Sequence, residues 1–201
     1  LIISISNHEG VREPMEAKVK ARVMDNVKIK RTLLRMATEI AERNRELNNL
    51  AIIGIRTRGI FLGKRIAEII RQNEGVEIPL GTLDITPYRD DLTENEKKQM
   101  AEKTEISFAL DNKDVLLVDD VLFTGRTIRA AMEAIFELGR PKTIQLAVLI
   151  DRGHRELPIR PDYTGRLLPT SRRERVEVRL KEIDGQDEVL IVEPQANLNL
   201  R

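Results

Sequence analysis

Cysteine and tryptophan are absent from these 201 residues, and histidine occurs only twice, as His8 and His154. Without cysteine there is no disulfide, no thiolate nucleophile and no Cys-ligated zinc. Two histidines leave little material for a His-based metal site. Aromatic residues make up 3% of the chain, so the core must be aliphatic. The same shortage disfavours recognition by base stacking on aromatic rings. No apolar run reaches membrane-spanning length. The opening Leu1–Ile5 has no preceding basic segment and is too short for the apolar stretch of a secretion signal. These absences suit a cytoplasmic protein. Charge of one sign is missing too: the net value is +1. The chain as a whole therefore does not attract nucleic acid, and any such role needs a local patch. Arginine gathers in the last third, at Arg152, Arg155, Arg160, Arg166, Arg172, Arg173, Arg175 and Arg179, but acidic residues lie between. By charge alone that reads as a solvated mixed surface.

What is present has the order of an α/β protein. Residues 1–14 show no period and end at Pro14, which marks a disordered extension ahead of one domain over 15–201. Leu33, Met36, Ala37, Ile40 and Ala41 fall at helical spacing, which predicts a helix over 26–44. Leu50–Ile55 is an unbroken apolar run that suits a strand buried on both faces. A helix over 61–72 with Gly75 as its stop, a strand over 78–86 and a polar loop or hairpin over 87–104 are expected next. A buried strand over 115–119 leads to a helix ending at Gly139 and Pro141. A strand over 143–150, a Pro-rich excursion, and short strands near 176–181 and 188–192 complete the chain. Strand–helix–strand alternation predicts a parallel sheet flanked by helices, with ligands at the carboxyl ends of the strands. Thr57, Asp119 and Asp151 all come at such ends, so one rim can hold all three.

Three segments carry chemistry. Asp119-Asp120, followed by Val121, Leu122, Phe123 and the turn Thr124-Gly125-Arg126-Thr127, sets two carboxylates beside a helix start. Carboxylates can accept hydrogen bonds from vicinal sugar hydroxyls. A Gly/Thr turn at a helix N-terminus offers N–H groups, hydroxyls and a positive dipole end to a phosphate. Thr127 is placed both to reach such an anion and to cap the helix. Arg56-Thr57-Arg58-Gly59 is a second anion candidate, with two cations beside a glycine that permits close backbone approach. The loop holding Tyr88, Arg89, Asp90 and Asp91 is rich in charge and by itself reads as solvated.

The segment Val115–Thr127 closely resembles the signature of type I phosphoribosyltransferases, which bind phosphoribosyl pyrophosphate (PRPP). Ile55–Ile60, Leu83–Asp91 and Leu149–Arg160 narrow the resemblance to the PyrR family, regulators of bacterial pyrimidine operons that double as uracil phosphoribosyltransferases. The similarity runs from about Lys20 to Val192. It implies the type I phosphoribosyltransferase fold: a mostly parallel sheet with flanking helices, a small hood near 151–175 and a flexible lid over 84–104. It implies that Val118 to Thr127 hold the ribose 5-phosphate, with Asp119 and Asp120 on the ribose hydroxyls. It assigns Thr57, Arg58 and Gly59 to pyrophosphate, with Arg89 approaching from the lid. Asp151, Arg152 and Gly153 would line the uracil pocket, largely through backbone groups. His154, Arg155, Arg160 and Arg166 match positions expected on an RNA face, and His154 is read as a contact there, not as a general base. Mg²⁺ would come with PRPP, with Asp119 and Asp120 as its candidate protein ligands. UMP or UTP in the site would promote binding to a pyr leader mRNA hairpin, and a homodimer or higher homo-oligomer is implied. The alternative is a purine or other phosphoribosyltransferase without an RNA role, sharing the PRPP loop but not the run after Asp151.

Overall fold

The computed structural model describes residues 17–100 and 103–194. The extension expected over 1–14 lies outside them. The chain runs through β1 (Ala17–Asp25), α1 (Asn26–Arg43), β2 (Leu50–Ile55), α2 (Arg58–Glu74), β3 (Leu80–Leu83), α3 (Glu94–Met100), β4 (Asp114–Leu122), α4 (Arg126–Leu138), β5 (Thr143–Asp151), β6 (Tyr163–Leu167), β7 (Arg175–Arg179), α5 (Lys181–Asp184) and β8 (Glu188–Pro194).

Five strands form the main sheet in the order β3-β2-β4-β5-β6, and every pairing is parallel. All six residues of β2 are buried, and so are Val115 to Asp119 of β4. Helices cover both faces. On one, Ile29, Leu33, Met36 and Ile40 of α1 and Leu62, Ile66 and Ile70 of α2 pack against Ile52, Leu116, Val118 and Leu149. On the other, Ile128, Ala131 and Ile135 of α4 meet Ile53, Ile55, Leu117 and Val148. The α1 residues recur every three or four positions, which puts one stripe on the sheet. Asp25 starts that helix by accepting the Lys28 N–H at 2.8 Å.

A second, antiparallel sheet has the order β1-β8-β7. Val23, Met24, Val178, Leu180, Val189 and Val192 bring it into the α1/α2 core. The small separate sheet is built from 17–25 and 175–194. The segment near 151–175, expected as a hood, contributes β6, a fifth strand on the main sheet. Its Tyr163 is 2% exposed and donates to Gln145 Oε1 at 2.7 Å. Prolines around a five-residue strand conceal its period in the sequence. The loop expected over 87–104 is likewise more ordered. Thr86–Tyr88 forms a 3₁₀ turn with Pro87 in its first positions, α3 follows, and Thr82 bridges Glu105. Proline suits a helical first turn, where its missing N–H goes unused. Among the described residues no helix is long and apolar enough to cross a membrane.

Candidate functional site

The carboxyl ends of β2, β4 and β5 sit side by side and carry the segments that the sequence singled out. Asp119 and Asp120 lie within β4, not after it. Their carboxylates lean on the local backbone: Asp119 Oδ1 accepts the Asp120 N–H at 2.9 Å and Asp120 Oδ1 accepts the Val121 N–H at 2.9 Å. Asp119 is 6% exposed. Burial, reinforced by the neighbouring Asp120 charge, pushes its carboxyl well above the usual carboxylate range. Burial raises Asp120 as well, against the opposing pull of the Arg58 charge. A buried carboxylate and a half-buried one thus stand side by side, and ionising both is costly.

The turn after β4 bends at Gly125, whose φ of +95° favours a residue without a Cβ. Gly125 is the N-cap of α4, and no side chain caps that helix. Thr127 therefore does not cap it, contrary to the sequence expectation. Thr127 and Arg126 are exposed in its first turn. The other helix opening at this rim behaves alike: α2 begins at Thr57 with no side-chain cap. Helix α1, away from the rim, is capped by Asp25. Neither rim helix thus has a side-chain hydrogen bond from its N-cap residue, and apart from a long 3.4 Å bond from the Arg126 N–H to Thr124 Oγ1 their first N–H groups and positive dipole ends are available to an anion.

Gly59 explains how the second helix comes so close. A Cβ there would lie 2.3 Å from the Val118 carbonyl oxygen, so α2 rests directly on β4. The Arg56–Thr57 peptide bond is cis. Arg58 Nη2 donates to both oxygens of Asp184, at 3.0 and 3.2 Å, while its Nε is buried without a hydrogen-bond partner.

The segment after β5 closes over the phosphate-type turn. Thr124 O accepts the N–H groups of Glu156 and Leu157, and the side chains of Leu157 and Ile159 lie beside Gly125. Arg155 points inward: it pairs with Asp151 at 2.6 Å and donates to the carbonyls of Phe123 at 2.8 Å and Ile159 at 3.0 Å. It therefore braces the rim and does not present a free cation to RNA. Asp151 is occupied too, since its Oδ1 accepts the Gly153 N–H at 2.9 Å. Arg152 is 5% exposed. It stacks on Phe123 at 4.0 Å and donates to Thr170, Ser171 and the Glu174 carbonyl. So the side chains of Asp151 and Arg152 hold the loop, and its backbone is engaged as well: the Arg152 N–H donates to the Leu122 carbonyl at 3.1 Å, the Asp151 carbonyl accepts the Leu168 N–H at 2.8 Å, and the Gly153 carbonyl accepts from Arg155 at 3.2 Å. His154 has φ of +60° and its ring bonds the Thr170 carbonyl beside Phe123. Arg160 and Arg166 are exposed, and Arg166 also donates to the Val23 carbonyl at 3.0 Å.

The segment before α3 lies along α4. Tyr88 OH donates to Glu137, Arg129 donates to the Tyr88 carbonyl at 2.9 Å, and Asp90 pairs with Arg126 at 2.7 Å. Arg89 is held by Asp91 at 2.6 Å, so Asp90 is the member of this segment that reaches the turn. Sequence reasoning took Asp90 only as part of a solvated loop and gave no role to Glu156 or Asp184. Each is an acidic residue in a charged stretch, and only its arginine partner, distant in sequence, distinguishes it. An apolar groove of about 880 Å³ lies elsewhere, between α1 and α2, and none of the rim residues named above lines it.

Comparison with known proteins agrees with this geometry. The phosphoribosyl transferase domain model matches residues 23–182. The "Bifunctional protein PyrR" of Pelotomaculum thermopropionicum is 56% identical over 177 residues, covering 88% of this chain and 98% of that protein. The protein of the same name from Deinococcus radiodurans is 54% identical over 176 residues, 88% of this chain and 96% of its own length. A hypoxanthine phosphoribosyltransferase from Staphylococcus aureus superposes with a TM-score of 0.67, covering 88% of this chain and 94% of its own, and at 17% identity it shares the fold. A parallel sheet and an aspartate pair between two helix starts at one rim go with a sequence match over 88% of the chain: it belongs to the phosphoribosyltransferases and, among them, to the bifunctional PyrR proteins.

Proposed function

We propose that the rim binds PRPP and transfers its ribose 5-phosphate to uracil, giving UMP and pyrophosphate, and that nucleotide in the same site controls binding to a pyr leader mRNA hairpin. The observation that carries the reading is the adjacent pair of buried Asp119 and half-buried Asp120 set between two helices whose N-cap residues provide no side-chain hydrogen bond. Asp119 and Asp120 face the ribose hydroxyls. Thr124 to Thr127 wrap the 5-phosphate at the start of α4, with Val118, Val121, Leu122 and Phe123 shaping the floor. Thr57, Arg58 and Gly59 meet the pyrophosphate at the start of α2. The anomeric carbon then lies between, and uracil enters beside the 151–153 backbone.

Displacement at that carbon passes through an oxocarbenium-like state, so the chain's task is positioning and charge stabilisation, with no nucleophilic side chain. The Asp119–Asp120 pair supplies negative charge beneath the developing cation, and Arg58 neutralises the departing pyrophosphate. Arg89 reaches the pyrophosphate only if it leaves Asp91 as the 86–91 segment closes. Among the described residues no three His, Cys, Asp or Glu side chains cluster to hold a metal. A Mg²⁺ would accordingly be carried largely by PRPP oxygens and waters, with Asp119 or Asp120 within the reach of that shell. It would supply charge neutralisation on the phosphates.

For the RNA role, exposed Arg160 and Arg166 are the proposed contacts, with His154 at the margin and Arg155 acting from beneath. We place the protein in the cytoplasm, where leader RNA is transcribed, as a homodimer or larger assembly that doubles the basic surface. The test is turnover with PRPP, Mg²⁺ and a panel of bases, followed by a gel shift with leader RNA with and without UMP. Uracil should be the accepted base and UMP should tighten the RNA complex. Turnover of hypoxanthine or guanine in place of uracil would favour a purine enzyme.

A further inference from the structure

Resting on the reading of Arg58 as the pyrophosphate contact, we propose that Asp184, in the small sheet's connecting helix, is a positioning residue for that arginine. Three observations converge. Asp184 takes only Nη2 of the guanidinium, with 33% of the Arg58 side chain and 22% of the Asp184 side chain exposed. The Arg58 Nε is buried without a partner, while the Arg58 charge is felt at Asp120. Asp184 is itself fixed, because its Oδ2 accepts the Leu180 N–H at 2.9 Å.

The connection carrying Asp184 is bolted to α2 a second time, two turns further on. Arg65 donates to Glu182 at 2.6 and 2.9 Å and to Asp187 at 2.7 and 2.9 Å. The connection between β7 and β8 thus grips α2 at two points, and the Asp184 point lies on the residue that opens the helix at the rim. An arginine on a flexible stem would lose much side-chain freedom on meeting pyrophosphate. Anchored at one nitrogen, it has already lost it. The second sheet thereby becomes part of the pyrophosphate grip although it holds no rim residue.

The test is steady-state kinetics of the full chain. Asp184→Asn keeps the shape and removes the charge. It should raise KM for PRPP and the inhibition constant for inorganic pyrophosphate about tenfold, the size of one charge-assisted hydrogen bond, with a much smaller change in kcat. Asp184→Glu should fall between the two. In an Arg58→Ala chain, Asp184→Asn should add nothing further. Glu182→Gln, which loosens the Arg65 anchor alone, should lower Tm with KM unchanged. An Asp184→Asn protein that melts earlier but keeps the wild-type KM would overturn the proposal. If that variant does not fold, an unchanged KM in folded Asp184→Glu overturns it equally. Calorimetry of PRPP with the unsubstituted chain separates the two failures: absence of binding there removes the reading of the rim, and this inference with it.

Discussion

The two sheets are built on different physics. In the parallel sheet β2 is buried throughout and β4 and β5 over most of their lengths, and α2 and α4 follow β2 and β4 directly in the chain. The three antiparallel strands come from opposite ends of the chain, with β1 paired to β8. Apolar contacts seat them on the α1/α2 core, but their connections are charged: Lys20 with Glu174 and Glu193, Arg22 and Arg179 with Glu188, and Arg65 with Glu182 and Asp187. The main sheet fixes where backbone groups point, and the small sheet trims where one cation sits. A site that must hold two anions and a sugar needs both. Burial alone cannot orient a solvated guanidinium, and ion pairs alone cannot build a rigid rim.

Substitutions can break this contrast. The largest effect belongs to the main sheet's rim: Asp119→Asn should lower kcat by about a thousandfold with Tm unchanged or raised, because it removes the costly buried charge and the group that faces the sugar. A melt beside a turnover assay decides it. Gly59→Ala should come next, losing about 3 kcal/mol or failing to fold, since its Cβ has only the Val118 carbonyl to occupy. Gly185→Ala, in the small sheet's connection with φ of +78° and nothing within 4 Å, should cost only about 1 kcal/mol. Denaturant titration of the pair measures the difference.

The arginines sharpen the contrast at smaller scale. Arg155→Ala should lower stability by about 2 kcal/mol by freeing the carbonyls of Phe123 and Ile159. Arg160→Ala should leave Tm within a degree and weaken leader RNA by a few fold, with a shallower salt dependence. If Arg155→Ala melts like the unsubstituted chain and loses only RNA, its inward bracing is not what stabilises the rim.

The smallest effects follow pH, and the two sheets should respond with opposite sign. Hydrogen bonds from Arg65 and the Lys181 backbone outweigh burial and hold Asp187 below the ordinary carboxylate value. Its stabilisation is present above that ordinary value, near 4, and is lost as pH falls through the lower folded one. Asp119 runs the other way. Its raised folded value means that its protonated form favours the folded state at low pH, and the benefit disappears as pH rises through that value. Melts of Asp187→Asn and Asp119→Asn across acid pH should therefore diverge from the parent in opposite directions.

Composition, the apolar runs at Leu50–Ile55 and Val115–Val118, and the Asp-Asp, Thr-Gly-Arg-Thr order determined the parallel sheet, its rim and the anion-ready helix start. Those are local properties: burial on two faces demands continuous apolar strands, and a strand–turn–helix puts its turn at the carboxyl end whatever surrounds it. Tertiary structure alone decided the rest. It drew β1 from the start of the described chain to pair with β8. It turned Arg155 from an outward cation into a brace and set Asp184 on Arg58. An acidic or basic side chain declares its charge in the sequence but not its partner, because the partner is chosen by a fold that brings together residues more than a hundred positions apart.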